Sequence, residues 1–367
     1  MKYMDEFRDP VLARRLVGEI RELARKPVRI MEICGGHTAV IFKYGIHKMV
    51  PPEIEFIHGP GCPVCVSPRE KVDLAIQLAW QDNAILATFA DMIRVPGSRS
   101  SLQHEQARGA DVRMVYSSLD ALEIARRNPQ RHVVFFAIGF ETTAPTNAMA
   151  VLLAREQGLA NFSIFSNHVT VPAAVRAILD APEVRLDAFI APGHVSLVTG
   201  NRIYRFIPRE YGKAVVTSGF EPLDLLQSTH MTLRQLAERR PTVENQYRRA
   251  VTEEGNLRAQ AAVETVFEPC DMSWRGLGVI PGSGLKVRPA FAEHDAERRF
   301  TLAPPVPSKD PKACECGDIL RGLKSPWDCR VFGTACTPEK PLGACMVSSE
   351  GACAAYYHYG RQWAATG

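Results

Sequence analysis

Val28-Arg29-Ile30-Met31-Glu32-Ile33-Cys34-Gly35-Gly36-His37-Thr38 is the stretch on which the fold turns. A short apolar, β-branched run ends at a glycine pair, and the amphipathic stretch 39–48 follows, the order of a strand, a tight loop and a helix. The same order recurs downstream. Ile54 to Ile57 leads into His58-Gly59-Pro60-Gly61-Cys62-Pro63-Val64-Cys65, and then a helix that Ser67 would cap, Pro68 would start and Glu70 would close as a capping box. Ala84 to Phe89 precedes Ala90-Asp91-Met92-Ile93-Arg94-Val95-Pro96-Gly97, and His132 to Ile138 precedes Gly139-Phe140-Glu141-Thr142-Thr143. Three further runs lead into Ser166-Asn167-His168, Ala191-Pro192-Gly193-His194 and Ser218-Gly219-Phe220-Glu221. Strands alternating with helices predict parallel sheets. The two Gly-Phe-Glu loops hint at related geometry.

The fold class expected is therefore α/β, with two parallel-sheet α/β domains and a smaller, irregular and helical C-terminal iron–sulfur domain. The divisions expected are 1–130, carrying the Cys34 and Cys62 loops; 131–255, carrying the Gly139 loop; and 256–367, carrying the cysteine-rich segment. A helical stretch from Leu223 to about Phe267, broken at Pro241, closes the α/β part, and a Pro-rich link over 303–307 precedes the cysteines.

Across 367 residues, 44 Lys and Arg face 40 Asp and Glu, and a net charge of +4 is too small to make a nucleic acid the expected partner. The first residues carry Asp5, Glu6 and Asp9 where a secretion signal needs an apolar run, and no stretch approaches the roughly 18 apolar residues that span a bilayer. A cytoplasmic location is expected, with no membrane partner. There thiols stay reduced, so ten cysteines point to metal binding or redox chemistry rather than a disulfide scaffold.

Ligands of open parallel sheets bind beyond the carboxyl ends of the strands, and Cys34, Cys62, Cys65, Glu141, His168 and His194 all follow predicted strands; one shared crevice is expected. No Gly-rich phosphate fingerprint accompanies these loops, so a nucleotide is not indicated. Cys62 and Cys65 have the spacing of a redox dithiol before a helix N-terminus, which favours a thiolate; half of a zinc knuckle or an inert turn are the alternatives. Cys34, followed by two glycines and His37, is a metal ligand or nucleophile, or else a buried cysteine in a tight turn. Glu141, His168 and His194 are candidate acids, bases or supporting groups, or else loop residues with satisfied hydrogen bonds.

Six cysteines crowd the C-terminal segment: Cys314, Cys316, Cys329, Cys336, Cys345 and Cys353. Their spacing lacks the two close pairs of structural zinc and suits an iron–sulfur cluster with two thiols to spare; zinc or a mixed reduced set is the alternative. In an extended segment Cys314 and Cys316 would point to opposite sides. Cys270 has no partner nearby and is read as structural.

Taken together, Cys34-Gly35-Gly36-His37-Thr38, Gly59-Pro60-Gly61-Cys62-Pro63-Val64-Cys65, Asp91-Met92-Ile93-Arg94-Val95-Pro96-Gly97-Ser98, Gly139-Phe140-Glu141-Thr142-Thr143 and the run Cys345 to Cys353 resemble the HypD family of NiFe-hydrogenase maturation proteins over nearly the whole chain. Ala90, where the family pattern leads one to expect glycine, and Cys270 are small departures. The resemblance implies a metallocentre-assembly scaffold with redox activity rather than a conventional turnover enzyme. With the partner HypC it would hold an iron while two cyanides and one carbon monoxide are attached. HypE would supply the cyanide as a protein thiocyanate in a transient three-protein complex, and the hydrogenase large subunit would receive the product indirectly. Carried over by motif, Cys34 would bind the transferred iron, Cys62 and Cys65 would be the redox pair beside it, and the C-terminal cysteines would hold a 4Fe–4S cluster. Resemblance and local spacing together suggest Cys314, Cys329, Cys336 and Cys353 as its ligands and Cys316 and Cys345 as an accessory dithiol. His37 and Glu141 would hydrogen-bond a cyanide nitrogen or move a proton. An iron–sulfur disulfide reductase of the ferredoxin–thioredoxin type and a zinc-stabilised binding module are the other classes this pattern admits.

Overall fold

The computed structural model describes residues 5–305 and 310–360; part of the Pro-rich link, at 306–307, lies outside them. Two sheets carry the fold. Their strands are β1 (Val28–Glu32), β2 (Ile54–His58), β3 (Ala84–Thr88), β4 (Val112–Met114), β5 (His132–Gly139), β6 (Phe162–Val169), β7 (Ala188–Pro192), β8 (Ala214–Ser218), β9 (Val243–Asn245), β10 (Phe267–Trp274) and β11 (Gly278–Val287).

The first sheet has the order β2-β1-β7-β8-β9 and is parallel throughout. The second has the order β10-β11-β6-β5-β3-β4; β6, β5, β3 and β4 are parallel, and β11 runs antiparallel to both β6 and β10. Both are mostly parallel, as the alternation of strands and helices predicts. The strands are covered on both faces and so read as continuous apolar runs: every residue of β3, β6, β7 and β8 is buried.

Chain order and sheet order differ. β1 lies between β2 and β7, with Ile30 opposite Ala188, while β3 crosses to the second sheet beside β5. The β10–β11 hairpin, beyond residue 256, forms the edge of the second sheet. The sheets thus cut across the segments 1–130, 131–255 and 256–367.

Two local expectations are corrected. The helix starting at Pro222 stops at Ala237, Arg239 adopts a φ of +51°, and Val243–Asn245 pairs with β8 as an edge strand. Pro241 cannot donate within a helix, and the Thr242 amide is taken by Gln235 Oε1 at 2.9 Å. A separate helix, Leu257–Val266, starts where the Asn256 side chain caps it. The helix after the Cys62 loop, Arg69–Ala79, has Pro68 at its N-cap and no side-chain cap, because the Ser67 hydroxyl instead accepts a hydrogen bond from Asn167 Nδ2.

The cysteine segment is packed into the main body. Ile319, Leu320, Met346 and Val347 share one apolar core with Met31, Ile33 and Val64. Arg94 donates to the Val347 carbonyl at 2.6 Å and Arg29 to that of Gly322 at 3.0 Å. Among the described residues no helix is long and apolar enough to cross a membrane.

Candidate functional site

Cys34 sits between β1 and the helix Gly35–Lys43, 1% exposed. Two residues earlier, fully buried Glu32 holds the whole turn. Its Oε2 accepts from the Cys34 amide at 2.9 Å, and its Oε1 accepts from the Thr38 hydroxyl and lies 2.7 Å from His58 Nδ1. The other nitrogen of His58 is 3.1 Å from the Tyr356 hydroxyl. One carboxylate therefore joins the ends of β1 and β2 to the C-terminal segment. Burial pushes its pKa up, against the hydrogen bond to His58. Two glycines allow the close approach: a Cβ on Gly61 would overlap the Cys34 backbone, and one on Gly35 the Glu350 carbonyl.

Above Cys34 lies a three-ring stack. Phe220 is sandwiched between His37, with centroids 4.6 Å apart, and His194, with centroids 4.9 Å apart and ring planes 5° from parallel. His194 Nε2 is 3.5 Å from Cys34 Sγ. His37 Nε2 donates to the Gly219 carbonyl at 3.0 Å, and its Nδ1 is buried with no partner. Burial lowers the pKa of His37 to about 3 and that of His194 to about 4, so both rings are neutral at pH 7. Behind Phe220, Tyr247 packs edge-on at 6.3 Å, and buried Asp224 binds Arg249, whose guanidinium stacks on Tyr247 at 4.4 Å and Phe7 at 4.0 Å.

The Cys34 thiol is pushed well above its usual pKa, first by burial and then by the negative charges of Glu350 and Glu32. With neutral imidazoles around it, ionising this sulfur calls for a cation, and a bound metal is the kind of charge that does so.

Cys62 precedes the short helix Pro63–Val66, and its Sγ accepts from the Cys65 amide at 3.3 Å. Cys65 is fully buried and faces Cys345. Thiols of Cys316, Cys353 and Cys65 converge on Cys345 and pull its pKa well down, while Cys65, buried first of all, and Cys353, which faces Cys316, are pushed up. The neighbouring thiols thus favour the ionised form of Cys345. Cys314 and Cys316 do not point apart. The Cys314 amide turns back onto the Pro311 carbonyl at 2.7 Å, a helix begins at Cys316, and both sulfurs converge on the bare face of Gly343, where a Cβ would collide with them. Cys336 accepts from the Leu342 amide at 3.4 Å, and Cys329 lies 3.9 Å from the Ala313 carbonyl. Among the described residues, no three His, Cys, Asp or Glu side chains are arranged around a single metal ion. A set of thiols alone, with Gly343 leaving room for the Cys314 and Cys316 sulfurs, fits a cluster, which is larger than one ion. Cys270 stands apart, half-buried on β10.

Glu141 accepts from the Val171 amide at 3.0 Å through Oε1, its Oε2 is buried without a partner, and burial raises its pKa to about 7. Fully buried Tyr204 feels both Glu141 and Cys34, so this carboxyl belongs to the same interior. His168 does not. It lies within β6, is 2.6 Å from Asn147 Nδ2 and 2.9 Å from Ser166 Oγ, and packs edge-on against Phe267 in the second sheet. Burial holds its pKa at about 3. Sequence reasoning missed Glu32, His58, Phe220 and Tyr356. A charged residue ending an otherwise apolar strand, as Glu32 does, was the one readable signal.

Fold and site together define an α/β protein whose chemistry rests on buried thiols. The chain belongs to the HypD family: the sequence model described as the hydrogenase formation hypA family matches residues 11–360. It is similar to curated hydrogenase maturation factors named HypD: 55% identical to that of Rhodobacter capsulatus, over 98% of each chain. The Azotobacter vinelandii factor is likewise 55% identical over 99% of this chain and 98% of its own, and the Escherichia coli K12 factor 47% identical over 99% of both.

Proposed function

We propose that this hydrogenase maturation factor is the cytoplasmic scaffold on which, together with HypC, an iron receives two cyanides and one carbon monoxide before passing to the hydrogenase large subunit. The observation that carries the reading is Cys34: a buried thiol among neutral imidazoles, beside a dithiol, whose ionised form needs a cation. Cys34 binds the iron cargo, opposite a ligand from HypC. His194, 3.5 Å from the sulfur, shields it, and Phe220 holds both imidazoles in place. The buried Glu141 Oε2, without a partner and on a carboxyl whose pKa burial raises to about 7, is the group left to donate to a cyanide nitrogen or carry a proton, while His37 Nδ1, unprotonated because Nε2 holds the ring's proton, can only accept.

The reaction at the iron is reductive. Cleaving the S–C bond of a HypE thiocyanate delivers cyanide to the iron and leaves a thiolate that takes a proton; two electrons are consumed. Closing Cys62 and Cys65 to a disulfide releases two electrons and two protons; the electrons cleave the S–C bond, one proton goes to the HypE thiolate and the other leaves to solvent, so the exchange balances. Cys345, which faces Cys65 and whose pKa its thiol neighbours lower, would reopen that disulfide with Cys316 as its partner. Cys314, Cys329, Cys336 and Cys353 are the proposed ligands of a 4Fe–4S cluster, which supplies electrons one at a time.

The test is infrared spectroscopy of the anaerobically purified complex with HypC. Wild-type protein is expected to show iron-bound cyanide and carbonyl bands, and Cys34→Ala is expected to lose them along with hydrogenase maturation; retention of both would sink the assignment. A disulfide reductase of the ferredoxin–thioredoxin type would keep full thiol-reductase turnover without Cys34. About four iron and four sulfide per chain are expected, whereas zinc without sulfide would remove the cluster.

A further inference from the structure

The loop that wraps Cys336 also forms one wall of a groove of about 580 Å³, and the groove is strongly basic. Arg69, Arg94, Arg99 and Lys340 line it, with His104 at the side and Glu339 as its single carboxylate. Arg94, Arg99, His104 and Lys340 are exposed. Arg94 is pinned by its bond to the Val347 carbonyl, so that charge is fixed beside the segment that carries Cys345 and Cys353. On the inner side of the wall, the Leu342 amide donates to Cys336 Sγ at 3.4 Å. Leu342 itself lines the groove.

A second groove of about 570 Å³ reaches Cys314, but its charges cancel. Four basic side chains there meet four carboxylates, and the pair Arg275–Asp310 is closed at 2.7 Å. Arg69 lines both grooves and is paired with Asp310 at 3.9 Å, so the positive excess of the Cys336 groove comes from Arg94, Arg99 and Lys340 against Glu339; set beside a sulfur just behind the wall, it is the arrangement that steers an oppositely charged protein to an orientation.

We propose that this groove docks an acidic one-electron carrier protein, which gives up one electron through the Cys336 wall to the cluster and leaves oxidised. The partner is specified by chemistry alone: a carboxylate-rich surface around a shallow redox centre. This rests on the cluster assignment above, so the experiment separates the two.

An acidic 2Fe–2S ferredoxin serves as probe. Binding of its oxidised form to the full-length protein is measured by isothermal titration calorimetry at 50 and 300 mM NaCl, and cluster reduction by stopped flow with reduced ferredoxin and, separately, with reduced methyl viologen. Affinity is expected to fall at least tenfold between the two salt concentrations. Arg99→Glu with Lys340→Glu is expected to weaken binding and slow ferredoxin-driven reduction at least tenfold at 50 mM, and Arg99→Gln with Lys340→Gln less so. Lys312→Glu, in the charge-balanced groove, is expected to change both less than twofold. Both loop substitutions are at exposed side chains, and an unchanged thermal midpoint confirms the fold. Wild-type binding and reduction in the Arg99→Glu, Lys340→Glu protein, or salt-independent binding, would overturn the docking site. A protein that methyl viologen cannot reduce at all would overturn the cluster and leave the binding result standing.

Discussion

The two Gly-Phe-Glu loops begin alike and end in different chemistry. At the end of β5, Gly139 takes a φ of +143°, where a Cβ would run into Thr143; Phe140 is buried 6.1 Å from Trp274, and Glu141 ties the loop to the Val171 amide. At the end of β8, Gly219 is needed because Asp224 and Tyr247 crowd it; Phe220 is the middle ring of the histidine stack, and Glu221 caps the next helix and pairs with Arg8. In one loop the phenylalanine is core. In the other it is a spacer that places two imidazoles over a thiol. Identical residues at equivalent strand ends thus take roles set by what the nearby strands bring: β7 brings His194, and beyond it β1 brings Cys34, to the side of Phe220, whereas beside the end of β5 the polar Asn167 and His168 of β6 are already bonded to Ser67, Asn147 and Ser166.

Exchanging the two aromatic rings for alanine should separate these roles most sharply. Phe140→Ala removes a buried core ring and is expected to cost about 3 to 5 kcal/mol in denaturant unfolding, with maturation lowered only as far as folded protein is lost. Phe220→Ala, only partly buried, is expected to cost about half as much yet to lower maturation by the folded fraction at least tenfold. If both variants lose activity in proportion to stability, the distinction between them fails.

Glu141 allows a smaller, pH-dependent test. Burial holds its folded pKa near 7 against 4.5 for the free group, so its protonated form stabilises the fold. That contribution is complete below the unfolded value and is lost as pH rises through 7. Between pH 5 and pH 8 wild-type protein is expected to lose about 2 kcal/mol more than Glu141→Gln, allowing for its partial exposure. Parallel stability profiles would show that the carboxyl is solvated and ordinary. The corresponding change in the other loop, Glu221→Gln, loosens an exposed ion pair with Arg8 and is expected to cost less than the Glu141 change, its difference from wild type shrinking as salt is added.

What was readable from sequence was local. Strand, glycine turn and helix follow one another in the order that Val28 to Lys48 announces, and the cysteines of the first two loops do share one interior. Pairings between distant segments were not readable. Nothing in Val28–Glu32 says that β7 lies beside it, so chain-order divisions and sheets disagreed. Side chains with two possible partners misled in the same way. Ser67 looked like a cap because its hydroxyl's use by Asn167, 100 residues away, is a tertiary fact. His168 looked like a loop residue because β6 runs further than its apolar pattern. Glu32 and His58 were passed over inside apolar strands, although their mutual contact organises the site.

The link from His58 to Tyr356 spans 298 positions of chain. At about 5 to 20 residues per second, a ribosome needs on the order of 15 to 60 s to make the second residue after the first. Throughout that interval Cys34, Cys62 and Cys65 lack the C-terminal wall, and for the first part of it β1 also waits for β7, Ala188–Pro192. The crevice is therefore among the last things the growing chain completes. The proposed iron, if it depends on those walls, would find its site only in finished protein, a form of proofreading supplied by topology alone.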